Sequence, residues 1–98
     1  MAYAIERTFE IDPPPSVGAD TVKALQDGLA SSRGVLEASV VGDFIGDTLV
    51  GIRVEMTVEA PDGSKARTVA RRAIREAGQS ADLPERSFRV TSGSGREV

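Results

Sequence analysis

The stretch of sequence that decides the fold is VGIRVEMTVE, residues 50–59. Because successive side chains of a β-strand point to opposite faces of a sheet, its alternation predicts a strand with one buried and one solvated face. The solvated positions include Arg53, Glu55 and Glu59, so the outer face of the sheet should be polar. The apolar positions are Val50, Ile52, Val54, Met56 and Val58.

The N-terminal stretch, residues 3–11, shows the same period and predicts another half-buried strand. Arg7 is the one charged residue on its inward parity. A charged side chain there must reach past the edge of the core, pair with a carboxylate or mark a bulge. The functional alternative is an anion site at the end of the strand. The other inward residues are Tyr3, Ile5, Phe9 and Ile11.

Two helices are predicted, one after each of these strands. The first runs from an N-cap at Ser16 to about residue 32, and Gly28 within it favours close packing against another backbone. The second begins at a cap on Ser64, has an alanine-rich apolar side and is closed by Gly78.

Two further strands complete the pattern. Alternating apolar residues predict one strand over residues 36–40, and its register with residues 50–59 requires a three-residue turn or a bulge near Gly42. The last strand is predicted over residues 85–91, followed by a flexible polar tail over residues 92–98.

The resulting order, βαββαβ, predicts an α+β fold of the ferredoxin-like kind. In this sandwich a four-stranded antiparallel sheet carries two helices on one face. Residues 1–91 should form it as a single domain, because a chain of 98 residues is too short for two independent cores.

The composition describes a small soluble domain and restricts its chemistry. The chain has no histidine and no cysteine, which removes most ordinary catalytic and transition-metal constellations. No catalytic residue, cofactor site or metal site can therefore be named. Neither a signal peptide nor an apolar membrane span is recognisable, so we expect a cytoplasmic location by default and no membrane partner.

Basic residues concentrate on the second helix, although the net charge of the whole chain is −3. Arginines four positions apart on a helix repel one another by about 0.2–0.5 kcal/mol per pair, a cost that an anionic partner converts into binding. This face is either a solvated surface or a contact for an anion, a protein or a nucleic acid, and the net negative charge disfavours nucleic acid. Its residues are Lys65, Arg67, Arg71, Arg72 and Arg75.

A second candidate contact lies at the predicted hairpin tip. Phe44 and Ile45 either dock into a neighbouring subunit or fold over the end of a helix. Both arrangements agree with the sequence.

Several families with this order of elements can be tested against the residues that their activities need. RNA-recognition domains carry outward aromatic residues on the central strands, where this chain has Arg53, Glu55 and Thr57. The loop after the first strand resembles, at Asp12 and Pro14, the Asp-x-Pro-Gly turn of amino-acid-binding ACT domains, but proline replaces the glycine. The resemblance covers four residues and implies at most a small-ligand site at residues 12–18.

The sequence thus favours a non-catalytic interaction or regulatory module rather than an enzyme, with a protein partner or a second copy of itself as ligand. This expectation depends on the open sheet face, the edge strands and the lack of an assembled active site. The alternatives are an anion or nucleic-acid binder that uses the basic helix, and a small-ligand regulatory domain.

Overall fold

A computed structural model describes residues 1–98 and has the predicted order of elements. The four strands form one antiparallel sheet in the order β2-β3-β1-β4, which confirms the ferredoxin-like architecture. The strands are β1 (Ala2–Ile11), β2 (Val35–Ile45), β3 (Thr48–Glu59) and β4 (Phe88–Glu97); the helices are α1 (Gly18–Ala30) and α2 (Gly63–Ser80), and a short 3₁₀ turn spans Glu85–Ser87.

The core lies between the inner face of the sheet and the two helices. Ile52, Val54, Met56 and Val58 of β3 are almost completely buried, as their alternation predicts, whereas Leu49 is buried in place of Val50. From α1 the core receives Leu25 and Leu29, and from α2 it receives a row of alanines. Gly28 lets the helices approach, because a Cβ at this position would lie 3.0 Å from the Cβ of Ala77. The predicted close packing at Gly28 is confirmed.

Both helix starts differ from the sequence prediction. The N-cap of α1 is Val17, which makes no side-chain capping hydrogen bond, rather than Ser16. The N-cap of α2 is Asp62 rather than Ser64, because the Asp62 carboxylate accepts a hydrogen bond of 2.8 Å from the Lys65 amide. An aspartate three residues before an unpaired helical N–H satisfies that donor directly.

The end of α2 also differs, since the helix continues through Gly78 to Ser80. A Cβ at Gly78 would lie 2.6 Å from the carbonyl oxygen of Leu83 and 2.8 Å from Cε2 of Phe88. This glycine therefore makes room for the returning chain and does not terminate the helix.

The β2–β3 hairpin combines a short turn with a bulge. Ile45 pairs with Thr48 across a two-residue turn, and the register shifts between Asp43 and Phe44. The bulge expected near Gly42 is thus confirmed one residue further along. Val40 faces the core, although it pairs with Val54 rather than with Ile52.

Strand β4 is longer than predicted and begins later. Residues 85–87 form a 3₁₀ turn, and the strand then runs from Phe88 to Glu97 along β1. The prediction of a tail over residues 92–98 is wrong, because an edge strand is held by backbone hydrogen bonds that do not require apolar side chains. Neither helix is long and apolar enough to cross a bilayer.

Candidate functional site

A cavity of about 350 Å³ lies between α2 and the strands β1 and β4; we refer to it as the α2–β4 cavity. Its interior is apolar, with Phe9 and Phe88 packed edge to face at a centroid distance of 5.3 Å. The alanine side of α2 supplies little volume, which leaves this space next to the helix. The cavity is lined by Arg7, Phe9, Arg67, Ala70, Arg71, Ile74, Arg75, Glu85, Phe88 and Val90.

The polar groups around the cavity are mostly cationic. Arg67, Arg71 and Arg75 recur at intervals of four, so they share one side of α2 and all line the cavity. Glu85 is the one carboxylate among the lining residues, and its Oε1 lies 3.3 Å from Nη2 of Arg71. With Arg7 included, four guanidinium groups face one carboxylate, which leaves the site with excess positive charge.

Arg7 enters the cavity from the sheet and is held by backbone groups. Its Nη1 donates hydrogen bonds to the carbonyl oxygens of Glu6, at 2.8 Å, and of Ser94, at 2.9 Å. It forms no ion pair with a carboxylate within the chain. Of the expectations for this residue, the carboxylate partner is wrong. The register shift between Thr8 and Phe9 leaves Thr91 unpaired, so the bulge lies on β4 and not at Arg7.

The structure divides the five basic residues of α2 into two groups. Arg67, Arg71 and Arg75 line the cavity, whereas Arg72 donates a hydrogen bond of 3.4 Å to the carbonyl of Arg33 near the end of α1. Lys65 lies in the first turn, beside the Asp62 cap. Three of the five basic residues of α2 therefore belong to the cavity, and two do not.

The other two predicted sites do not coincide with this cavity. Phe44 folds back so that its ring contacts Gly18 and Gly42, whereas Ile45 is 72% exposed. A subunit contact at the hairpin tip stays a prediction, and Ile45 is the more accessible residue for it. The loop at residues 12–18 lines neither the α2–β4 cavity nor its neighbours.

A smaller cavity of about 210 Å³ continues along α2 toward its N-terminus. Arg67 lines both spaces, and Tyr3 and Arg96 line the smaller one. Desolvation raises the pKa of the Tyr3 phenol above its ordinary value, with smaller contributions from the negative charges of Glu97 and Asp62. The two spaces form a groove between α2 and the β1–β4 edge of the sheet.

The outer face of the sheet carries a wider depression of about 640 Å³. Glu6 and Glu55 pair across strands there, and Glu37, Ser39 and Thr57 add further polar groups. Small-molecule sites are concave and mainly apolar with a few convergent polar groups. The α2–β4 cavity meets that description, and the outer depression does not.

Comparison with known proteins finds solved structures that share this fold. No protein family and no curated protein matches the sequence. Among solved structures, protein YJCS aligns over 100% of this chain and 99% of its own, with a TM-score of 0.63 and 12% identity. SnoaB, a cofactor-independent oxygenase from Streptomyces nogalater solved as a mutant, aligns over 99% and 92%, with a TM-score of 0.55 and 8% identity.

A third structure is a candidate antibiotic biosynthesis monooxygenase from Chloroflexus aurantiacus J-10-fl. It aligns over 100% of this chain and 93% of its own, with a TM-score of 0.52 and 15% identity. At these identities the similarity shows the fold alone.

These neighbours contradict two expectations from the sequence. The lack of histidine and cysteine favours a non-catalytic interaction module and disfavours an enzyme. Two of the neighbours are described as oxygenases, and one of these is described as independent of any cofactor. Because the fold is shared with proteins described as oxygenases, the expectation of a non-catalytic interaction module is wrong.

Proposed function

We propose that this chain binds a small, mainly apolar molecule with a negatively charged group in the α2–β4 cavity. The observation that carries the proposal is the lining of this cavity, where four arginines and one glutamate surround the side chains of Phe9, Ile74 and Phe88. The volume of about 350 Å³ suits a small organic molecule.

The charge distribution supports an anionic ligand. Four guanidinium groups near one carboxylate repel one another, and an anion relieves that repulsion. A hydrogen bond to a charged group contributes about 1.5–3 kcal/mol, roughly twice the value for neutral partners. The cavity therefore favours the ionised form of a weakly acidic ligand over its neutral form.

A nucleic acid is a poorer fit to the same arginines. Binding along a phosphate backbone uses many basic residues, but Lys65 and Arg72 do not line the cavity and the net charge of the chain is −3. The outward residues of the central strand β3 are Arg53, Glu55 and Thr57, none of which is aromatic, so bases cannot stack on them.

Oxygenation of the bound molecule is the second candidate function, and it is favoured by the similarity to SnoaB, which is described as a cofactor-independent oxygenase. Oxygenation by O2 requires a ligand that loses a C–H or O–H proton to give an electron-rich enolate or phenolate, and the arginines would stabilise that anion. Glu85 is the one carboxylate lining the cavity, so it is the available protein group for a proton transfer.

The binding proposal is tested by thermal shift with three acids, benzoate, 2-naphthoate and decanoate, each compared with its neutral amide. A ligand at a hundred times its dissociation constant stabilises the fold by about 2.7 kcal/mol. The acids should stabilise the wild type more than the amides do. The double variant Arg71→Gln/Arg75→Gln should show a smaller preference, and the control Arg72→Gln should retain it in full.

Two results would contradict the proposal. One is the absence of any shift with all three acids at millimolar concentration. The other is a shift of equal size in the wild type and in Arg71→Gln/Arg75→Gln. Oxygen consumption by the wild type with 1-hydroxy-2-naphthoate, whose ring can react with one O2 to give a quinone and one water, tests the second candidate function, and consumption no faster than without protein would contradict it.

A further inference from the structure

Arg7 differs from the other cavity arginines in how it is held. Arg67, Arg71 and Arg75 project from exposed positions on α2, and one of them, Arg71, pairs with Glu85. Arg7 lies on a strand next to the core, and its Nη1 is engaged by two backbone carbonyls. A guanidinium fixed in this way loses little side-chain entropy when it binds a ligand.

The hydrogen bonds of Arg7 leave a defined set of donors available. Both of its bonds use Nη1, and neither Nε nor Nη2 donates to a group within the chain. The N–H groups of Nε and Nη2 are parallel and form the side-on fork that binds two oxygens of one carboxylate. Arg7, which lines the cavity, thus has one preoriented edge that can bind a carboxylate.

Gly93 makes this orientation possible. It pairs with Arg7 across β1 and β4, and a Cβ at Gly93 would lie 2.8 Å from Cδ of Arg7 and 3.1 Å from Nε. The three atoms nearest to that Cβ all belong to the Arg7 side chain, so a side chain at Gly93 would displace Arg7. Gly95, two residues along the same strand, has no such role, because a Cβ there would meet its nearest atom, Ile5 Cγ1, at 3.7 Å.

We infer that Arg7 binds the carboxylate of the ligand side-on and that Gly93 is the residue that positions it. This inference deepens the proposed function and rests on it. The ligand class is a monocarboxylic acid with an apolar body, because Arg7, with one free fork, lines a cavity whose interior is apolar. The α2 arginines add favourable charge without fixing the position of the acid group.

The test measures dissociation constants by calorimetry for 2-naphthoate, 2-naphthamide and 2-naphthylphosphonate. The variants are Arg7→Lys, which retains the charge but loses the fork, Gly93→Ala, and the matched control Gly95→Ala. The wild type should bind the carboxylate at least about tenfold more tightly than it binds the amide. Arg7→Lys and Gly93→Ala should reduce that ratio toward one, and Gly95→Ala should leave it unchanged.

The ratio of carboxylate to amide affinity separates positioning from a general loss of structure. Affinity for 2-naphthamide should be similar in all four proteins, since the apolar contacts stay in place. Carboxylate binding that is weakened by Arg71→Gln/Arg75→Gln but not by Arg7→Lys or Gly93→Ala overturns the inference and leaves the proposed function standing. Tighter binding of the phosphonate than of the carboxylate also overturns the inference, and failure of all acids to bind overturns both.

Discussion

Each half of the sandwich contains one helix packed on the sheet, but the two halves differ in the size of their buried side chains. In the half made by α1 and β2, Leu25 and Leu29 are almost completely buried. Gln26 joins the helix to the strand, because its side-chain amide donates to the Ala38 carbonyl at 2.6 Å and its oxygen accepts from the Val40 amide at 2.7 Å. This half is closed by large side chains and by a polar clamp.

The half made by α2 and β4 has neither feature. Its helix presents small residues such as Ala66, Ala70 and Ala73 to the core, and its strand is largely polar and exposed. The difference in side-chain volume leaves the α2–β4 cavity, and arginines occupy its rim. One fold thus provides a stable side and a side with room for a ligand.

The largest expected effect comes from removing volume in the closed half. Leu29→Ala should cost about 2–5 kcal/mol of unfolding free energy, because a new cavity opens among fully packed side chains. Ile74→Ala should cost less, because Ile74 already borders open space. Urea unfolding measures both values, and a larger loss for Ile74→Ala would contradict the proposed difference in packing.

Gly78 offers a test of the open half. Gly78→Ala should cost about 1–3 kcal/mol, because its Cβ would meet the Leu83 carbonyl oxygen at 2.6 Å and must displace the returning chain. It should also weaken binding of 2-naphthoate, since Phe88 is displaced from the cavity wall. Gly95→Ala, whose Cβ would meet its nearest atom at 3.7 Å, is the control and should leave that affinity unchanged.

A smaller effect is expected for the carboxylate of the cavity. Glu85→Gln should raise the affinity for 2-naphthoate severalfold, because it removes the one negative charge among the lining residues. Stability should change by no more than about 1 kcal/mol, since the pair with Arg71 is exposed. Glu10→Gln, which breaks the exposed pair with Arg89, is the control, and equal gains in both variants would contradict a local effect.

The smallest effect concerns the titration of Tyr3. Desolvation, followed by the negative charges of Glu97 and Asp62, raises the pKa of this phenol. The folded state therefore favours the neutral form, and the resulting stabilisation is present below the unfolded pKa of about 10 and is lost as pH rises through the folded value. Because Tyr3 is the one tyrosine and the chain has no tryptophan, ultraviolet absorbance reports it alone.

Glu97→Gln should shift that titration to lower pH while leaving the fold intact. A titration of Tyr3 in the wild type below that of a free tyrosine would contradict the raised pKa.

The comparison of the two halves also explains which features could be predicted from the sequence. Strand β1, and β3 from Ile52 onward, alternate because each buries one face, so the fold can be predicted from their residues. The part of β4 after Thr91 consists of polar residues and glycine, and backbone pairing with β1 leaves no hydrophobic period there. An alternating side-chain pattern indicates that one face of a strand is buried. An exposed edge strand buries few side chains and therefore lacks this pattern.

The candidate site was only partly predictable for a related reason. The parity of Arg7 and the spacing of Arg67, Arg71 and Arg75 are unusual in the sequence itself and mark these residues as candidates. The spatial proximity of Arg7 to α2 depends on the sheet order, which the sequence does not encode locally. Gly93 carries no such signal, because its role depends on the pairing of β4 with β1.

The most direct test of the central claim is a nitrogen-15 NMR titration of the wild-type chain with 2-naphthoate. Binding in the α2–β4 cavity predicts shift changes at the backbone amides of Phe9, Ala70 and Phe88 and at the Arg7 Nε–H resonance, with none at Gln26 or Val40 in the closed half. Changes centred on Ser39 and Thr57 of the outer sheet face, or no change at saturating acid, would contradict ligand binding in the α2–β4 cavity.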